Sequence, residues 1–576
     1  MTVDYSELYS SISKAETLSE VQPLEGFLKT WEIEFSFCES NNEYSTSLLL
    51  CFKDSFPVTF PKVYLSNSFF SEIGWIPHLD IDSKKRPFIC VFDENESEAL
   101  PGSEIRIIQI ALDKARREIR NGIAGKNHSD FINEFQAYWR RKDNDEPKLK
   151  GGFLFIGQPQ SDFILEAFLA KEPVSNRYNY LVFTDTSESE HIKTNILQYS
   201  GVPYYKKKVF YIGEISSVKS PPYCINSKEL FELIQKECSG VISSLKREYD
   251  AGSKDIYVFA RIMSEGSRNM FIGWQLPMTD KNKSKMRWKY LIKREYKINR
   301  LIVDEYSNER LLLRTAGTVK TNKAVNRLCF AGLGSIGSHL LDYYKDFNFA
   351  QISLIDPETL TLENIKRHTL GIDSIGLYKV EALAKYLTNN IPETSIDIKN
   401  DDILDFLMQE KANNQYDLLV VAIGMEMVER QIRKFIYDRK LNIPVLFIWV
   451  EPYISAGHAL YLPCLSKEDI ETELCEKGLF TKNVIDRSEY LKSNELLFKN
   501  EAGCQGTYVP YSGNLVKQFI YGINSWLSTQ IENPSKNACS ITWIGNIDII
   551  KNMGIKVAPE MVNKSRGELI EQYYGV

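Results

Sequence analysis

The stretch Cys329-Phe-Ala-Gly332-Leu-Gly334-Ser-Ile-Gly337-Ser-His-Leu340 decides the fold of the C-terminal part of this chain. An apolar run from Arg327 to Ala331 leads into it and an amphipathic helix from Ser338 leads out. The glycines therefore stand at a strand-to-helix turn, the setting in which Gly-x-Gly-x-x-Gly carries information. Outward from this turn, a strand at Gln351–Ile355, a helix from Gly376 and a strand at Asp417–Ala422 follow as βαβαβ units, which predicts a doubly wound parallel sheet over about 325–576. Asp356, nineteen residues beyond Gly337, ends the second strand in Ile-Asp-Pro, where a carboxylate accepts hydrogen bonds from ribose hydroxyls.

That fingerprint does not separate a dinucleotide from ATP. The continuation does: Glu363-Asn364-Ile-Lys-Arg367-His368, then Gly376-Leu-Tyr-Lys379. A dehydrogenase has no use for these groups. An adenylating enzyme must neutralise a triphosphate and the charge developing at the α-phosphorus, and an asparagine, an arginine and a lysine beyond the ribose carboxylate do that. On these residues the region resembles the ThiF, MoeB and ubiquitin-activating superfamily. The resemblance implies a Rossmann-like adenylation domain that binds ATP with Mg²⁺ and forms an acyl adenylate with a protein C-terminus. It puts Gly334 and Gly337 against phosphate, with Gly332 in the same turn. It further assigns Asp356 to the ribose, and Asn364, Arg367 and Lys379 to the phosphates and the α-phosphoryl transition state. The chain departs from the pattern after the third strand, where the family has an acidic metal ligand and this sequence reads Val420-Val-Ala-Ile-Gly-Met-Glu426. The metal ligand is therefore unassigned, with Glu426 and Asp402 as candidates.

Near the end, Glu501-Ala-Gly-Cys504-Gln-Gly-Thr-Tyr-Val-Pro-Tyr-Ser-Gly precedes a helix through Phe519 to Leu527. It is similar to the ThiF-type segment in which a cysteine takes the acyl group or sulfur, so Cys504 is the expected acceptor and Cys539 the alternative. A thioester keeps the energy of the adenylate while staying open to amines and thiols. Cys464 and Cys475 stand singly where the superfamily often has Cys-x-x-Cys pairs, so no structural zinc is expected.

At the other end, a helix and then strands are expected over 1–145. Trp31-Glu-Ile-Glu-Phe-Ser-Phe37 alternates and puts Trp31, Ile33, Phe35 and Phe37 on one face of a half-buried antiparallel sheet. Further strands at Leu48–Phe52 and Val63–Leu65 follow, with a helix from near Gly102. Pro57, Pro61, His78 and Pro87-Phe-Ile-Cys90-Val-Phe-Asp93 resemble the ubiquitin-conjugating fold, an α+β domain in which a histidine precedes the active-site cysteine. Asp130-Phe-Ile-Asn-Glu134-Phe135-Gln-Ala-Tyr138-Trp139 looks like the Glu-Phe-x-x-Tyr-Trp signature of its bacterial relatives. The resemblance makes Cys90 the second thioester site. His78 is followed by Leu79 and Asp80, so no asparagine is available as oxyanion donor, and His78 is either catalytic or structural.

The charged run Arg140–Lys150 ending in Gly151-Gly152 reads as a linker. Between it and about residue 320 lies an α/β linker or docking domain, with strands expected at 153–156, 180–183, 209–212, 256–260 and 270–274 and a helix over 227–249. Lys281-Asn-Lys-Ser-Lys-Met-Arg-Trp-Lys289 puts basic residues on one face of an expected strand, which is either a solvated face or a dock for an acidic partner.

The chain is thus an α/β multidomain protein of three parts, consistent with 576 residues, too many for one core. No run approaches the roughly 20 apolar residues of a membrane span, and the start of the chain lacks a secretory signal, so a reducing cytoplasm is expected. A net charge of -6 gives no reason to expect nucleic acid. The order of parts resembles the fused conjugating-plus-activating proteins of bacterial type II CBASS anti-phage operons. That resemblance implies a homodimer acting on a cGAS-like nucleotidyltransferase whose C-terminus is activated and conjugated. The competing readings are a ThiF- or MoeB-like sulfur-carrier activator, a bacterial ubiquitin-like modifier pathway, a nicotinamide oxidoreductase and a non-catalytic scaffold.

Overall fold

Three large sheets, one in each region of the chain, organise the described residues. A computed structural model of the chain describes residues 3–39, 41–91, 104–133, 135–139, 150–159, 163–170, 178–184, 186–200, 203–215, 225–251, 255–262, 270–277, 288–293, 295–307, 310–311, 323–409, 415–492, 495–500 and 507–575. Cys504, the linker run 140–149, Lys281–Arg287 and the onset of the helix expected near Gly102 lie outside the described residues.

In the first region Lys29–Glu39 and Asn42–Phe52 form a long antiparallel hairpin, flanked by Leu18–Val21 on one side and Lys62–Leu65 on the other. Pro87–Ile89 and Leu79–Ile81 complete the six strands. Trp31, Ile33, Phe35 and Phe37 are all buried, as their alternation predicts. Against this face lies the helix Glu104–Ile123, whose Ile107, Ile108, Ala111, Leu112, Ala115 and Ile119 recur at the helical period and enter the same core.

The middle region is a closed barrel of mixed strands. Its order is Tyr204–Ile215, Tyr257–Ile262, Met270–Gln275, Asn299–Tyr306, Lys150–Ile156, Tyr178–Phe183 and Ile164–Ala170, which pairs back onto the first. Phe153, Phe155, Phe259 and Phe271 fill its interior. The strand expected across Lys281–Lys289 does not reach its end, because Trp288–Lys293 is a helix with Trp288 buried. The helix expected over 227–249 is two helices, Ser227–Glu237 and Ile242–Asp250, parted at Cys238 where Ser239-Gly240 follows, a pair of low helix propensity.

The third region is an eight-stranded sheet. Ser395–Lys399, Gln351–Ile355, Arg327–Ala331, Leu418–Val421 and Val445–Val450 run parallel, and Ala456–Leu462, Ala538–Ile544 and Leu569–Tyr574 extend it antiparallel. The doubly wound core is therefore as the sequence predicts, with an antiparallel extension the pattern did not announce. Helices Ser335–Tyr344, Lys379–Asn390 and Glu426–Tyr437 connect parallel strands. The helix expected from Gly376 starts three residues later, because Gly376 turns at positive φ and Thr359 bridges Tyr378 first.

Candidate functional site

The glycine turn lies at the C-terminal edge of the parallel strands, where open α/β sheets bind ligands. Each glycine has its own reason. Gly332 has φ of 84°, and a Cβ there would stand 2.8 Å from the Ala422 carbonyl. At Gly337 a Cβ would fall 2.0 Å from the Gly332 carbonyl oxygen, so the helix can pack this close only without a side chain. A Cβ on Gly334 would meet nothing within 4 Å, and Gly334 caps the helix Ser335–Tyr344 with no side-chain bond. The N–H groups that open this helix have no carbonyl one turn back to pair with, which suits an anion.

Asp356 is buried at the end of its strand, and its two oxygens accept N–H bonds from Leu333 at 2.7 Å and Glu358 at 2.8 Å. Burial raises its pKa, and the nearby Lys379 ammonium opposes that shift. The carboxylate thus ties the glycine turn to the next loop and keeps lone pairs for a ribose.

Lys379 is the first residue of helix Lys379–Asn390, which has no side-chain cap, and is only 4 % exposed. A cation at a helix N-terminus opposes the macrodipole, so this placement costs stability unless an anion is present. The exposed Glu358 carboxylate supplies one, in an ion pair with the Lys379 ammonium. Arg367 is half-buried, its guanidinium 5.3 Å over the Tyr511 ring and 3.5 Å from the Val509 carbonyl oxygen. It therefore links the glycine-turn side of the domain to the residues just past the strand Thr507–Tyr508. Asn364 accepts from the Thr361 N–H at 3.0 Å and closes its own turn, which leaves its amide N–H₂ as the group able to meet phosphate.

His368 has a part the sequence did not signal. Its Nε2 donates to the Leu333 carbonyl at 2.8 Å, while its Nδ1 accepts from the Leu370 N–H at 3.1 Å. That pair of bonds requires a neutral ring, and burial lowers its pKa to about 4. With Ser335 Oγ donating to the Arg367 carbonyl, it clasps the Arg367 loop to the glycine turn. Glu358, Tyr511 and His368 carry no spacing signature, so one sequence could not reveal them.

Of the metal candidates, Asp402 caps the helix Ile403–Met408 and Glu426 pairs with Arg433 at 2.9 Å. Among the described residues no group of three or more His, Cys, Asp or Glu could hold a metal ion. Mg²⁺ carried by a triphosphate needs only one or two protein carboxylates, so these residues leave its protein ligand unassigned. Cys539, the alternative acceptor, is buried near the start of the strand Ala538–Ile544 and its thiol is pushed up to about 11 by burial, a poor source of thiolate. Cys475 is likewise pushed up to about 11.

In the first region Cys90 is exposed just past the strand Pro87–Ile89. Its N–H donates to the His78 carbonyl at 2.7 Å, continuing the register in which Leu79 faces Ile89. The sequence pair His78 and Cys90 is therefore together in space. His78 has φ of 62°; its N–H donates to the Tyr138 hydroxyl oxygen at 2.7 Å, and its Nε2 lies 3.3 Å from Asp130 Oδ2 and 3.8 Å from Glu118 Oε2.

Two family models match separate parts of the chain: Prokaryotic E2 family B over residues 28–147 and the ThiF family over residues 306–458. Among curated proteins, an "ATP-dependent ubiquitin transferase-like protein Cap2" of Pseudomonas aeruginosa is 27 % identical over 220 residues, 37 % of this chain and 37 % of that one. The protein of the same name in Enterobacter hormaechei subsp. hoffmannii is 25 % identical over 141 residues, 24 % of this chain and 23 % of that one. The chain thus spans less than two-fifths of the length of either relative. A solved structure of E. coli MccB resembles 40 % of this chain and 61 % of its own, at 16 % identity and a TM-score of 0.29. No helix among the described residues is long and apolar enough to cross a membrane.

Proposed function

Since one polypeptide carries both a prokaryotic E2 family B segment and a ThiF family segment, we propose that it activates a protein C-terminal carboxylate with ATP and passes it through its own cysteines to an acceptor. The carboxylate oxygen attacks the α-phosphorus and pyrophosphate leaves. Cys504 as thiolate then attacks the acyl carbon and AMP leaves. Cys90 displaces Cys504 in thioester exchange, and an amine displaces Cys90 to give an amide. Exchange between similar thiols is nearly balanced in energy, so release at the second site sets the direction.

The observation that carries this reading is Lys379, a nearly buried cation at an uncapped helix N-terminus beside Asp356 and the glycine turn. Such a pairing of positive ends serves an anion with several charges, as a triphosphate with its Mg²⁺ is. The Lys379–Glu358 pair must open when phosphate arrives, and the ammonium then offsets charge as the α-phosphorus is attacked. We extend the reading to a cGAS-like nucleotidyltransferase as the protein activated, in a homodimer, on the resemblance to the CBASS proteins. Exchange of labelled pyrophosphate into ATP, dependent on the carboxylate partner, tests the first step. Binding of a nicotinamide nucleotide without any such exchange would eliminate the reading.

A further inference from the structure

The parallel strand Val445–Val450 ends at the same edge of the sheet as the glycine turn, and Glu451–Ile454 follow it there. Two of these residues, Tyr453 and Ile454, hold φ of 60° and 49°. Left-handed backbone is uncommon outside glycine and a clear outlier for a β-branched residue such as isoleucine. Such a turn persists only where its surroundings over-determine it, and it is a reason to look for function. Here the surroundings do so. Ile454 is buried in the core of the sheet, and a Cβ on Gly545 would fall 1.8 Å from the Ile454 carbonyl oxygen. The end of the strand Ala538–Ile544 thus closes on the turn through a glycine, whose N–H donates to the Ser455 carbonyl at 2.9 Å.

What the turn holds is the length of chain between the strand Ala456–Leu462 and the helix Gly513–Gly522. The buried Glu451 carboxylate accepts the N–H groups of Val484 and Ile485 at 2.6 and 2.8 Å and the Tyr490 hydroxyl at 3.2 Å. His458 Nε2, on the next strand, lies 2.9 Å from the same carboxylate. Tyr453 holds the rest. Its hydroxyl donates to the Leu496 carbonyl at 2.7 Å and its N–H to the Pro510 carbonyl at 2.9 Å. Between those two points Lys499 faces Tyr508 and Asn500 faces Thr507 in a short antiparallel pair. Both arms of the pair therefore lead to one residue, and Cys504 lies between the arms in sequence.

We propose that Tyr453 is a positioning residue for the thioester step, fixing both arms of the segment that carries Cys504 at the sheet edge where the acyl adenylate forms. The inference rests on Cys504 being the acceptor, as proposed above. In that step the Cys504 thiolate forms a C–S bond to the acyl carbon, the C–O bond to phosphate breaks, and AMP leaves with the electron pair. Tyr453 touches neither reactant. It sets where the arms start, and a misplacement of about 1 Å can cost such a step about a hundredfold in rate. The strained turn suits this part because packing on both sides fixes it, independently of the arms it holds.

The test uses the full chain and an adenosine 5′-vinylsulfonamide, which carries an electrophilic carbon near where the adenylate has its acyl carbon. A thiolate adds to that carbon, water supplies the proton, and a stable thioether forms with nothing leaving. Labelling of the Cys504 peptide, read by mass spectrometry over a range of probe concentrations, gives a maximal rate and a half-saturating concentration. Tyr453→Phe keeps the ring and the N–H and loses only the bond to Leu496. Its maximal rate should fall at least about tenfold, while half-saturation and the rate of Cys504 alkylation by iodoacetamide stay within about twofold of wild type. Tyr453→Ala should be slower still. Maximal rates within about twofold of wild type in both variants would overturn the inference. So would a parallel change in half-saturation and in iodoacetamide rate, which is what a general loosening of the domain gives, and so would an absence of Cys504 labelling in wild type. Because the probe bypasses adenylation, an absence of carboxylate-dependent pyrophosphate exchange would sink the proposed function and leave this test standing.

Discussion

Gly337 and Gly334 sit three residues apart in one turn, and alanine at each should separate architecture from ligand contact. At Gly337 the added Cβ would meet the Gly332 carbonyl oxygen at 2.0 Å and its carbon at 3.0 Å, both backbone atoms. Nothing flexible can yield, so the helix Ser335–Tyr344 must shift from the turn. Overpacking of this kind costs roughly 1–3 kcal/mol, which in a domain of this size lowers the unfolding midpoint by on the order of 5 °C. At Gly334 the Cβ meets no atom within 4 Å, so Gly334→Ala should change stability by less than about 0.5 kcal/mol. The open space is where phosphate approaches, and there the methyl group should obstruct. Thermal unfolding with and without Mg·ATP reads both effects. Wild type at a hundredfold excess over Kd should gain about 2.7 kcal/mol, Gly334→Ala should gain almost none, and Gly337→Ala should start lower. A Gly334→Ala protein stabilised by ATP as fully as wild type would refute phosphate contact at this turn. An undiminished midpoint for Gly337→Ala would refute the packing argument.

Other consequences can be checked alongside. Lys379→Ala should reduce pyrophosphate exchange by about 10²–10³, the scale for losing one charge-stabilising donor; an unchanged rate would favour a scaffold. Cys539→Ala should load normally, since its buried thiol is pushed up to about 11, whereas Cys504→Ala should form adenylate yet load neither cysteine; labelled partner on a non-reducing gel distinguishes them. His368 has its pKa depressed to about 4 from 6.5, so the unfolded chain takes up the proton first as pH falls. Its contribution, present above about pH 6.5, should be lost between there and about pH 4, and His368→Asn should flatten the wild-type fall of unfolding midpoint in that window. Glu429 works in the opposite sense: burial lifts its pKa to about 7, so the unfolded carboxyl ionises first as pH rises from about 4.5. Glu429→Gln should therefore gain stability over wild type at pH 8 and show little gain at pH 5.

What the sequence disclosed was whatever is periodic or local. Trp31, Ile33, Phe35 and Phe37 alternate because one strand face is buried, and the glycine turn is legible because its steric demands fall on adjacent residues. Ile164–Ala170 and Asn299–Tyr306 carry no clean alternation of apolar and polar residues, because their outer faces are covered too: Leu165, Ala167, Leu301 and Val303 face the barrel interior while Phe168, Arg300 and Asp304 are buried on the other side. The helix Ser187–Tyr199 was missed because its apolar residues are few, and it is held instead by contacts such as Asn195 Nδ2 donating to the Pro392 and Thr394 carbonyls. Within the candidate site, Asp356, Arg367 and Lys379 stand out in the sequence because they fall at the positions of the resembled motif. Their supports, Glu358, His368 and Tyr511, do not, since each depends on a partner brought in by the fold. The bond from Asp130 to His78 spans fifty-two positions and has no local signature.

The central claim is that ATP is consumed to place a protein carboxylate on this chain's own cysteines. Intact mass of the chain should be followed in a single turnover with Mg·ATP and a partner captured on a Cys90→Ala variant, with AMP quantified in the same sample. The account predicts one AMP for each reductant-labile adduct, on Cys504 alone when Cys90 is absent and on neither cysteine when Cys504 is absent. An adduct forming without ATP, or Cys90 loading at the wild-type rate in Cys504→Ala, would contradict it.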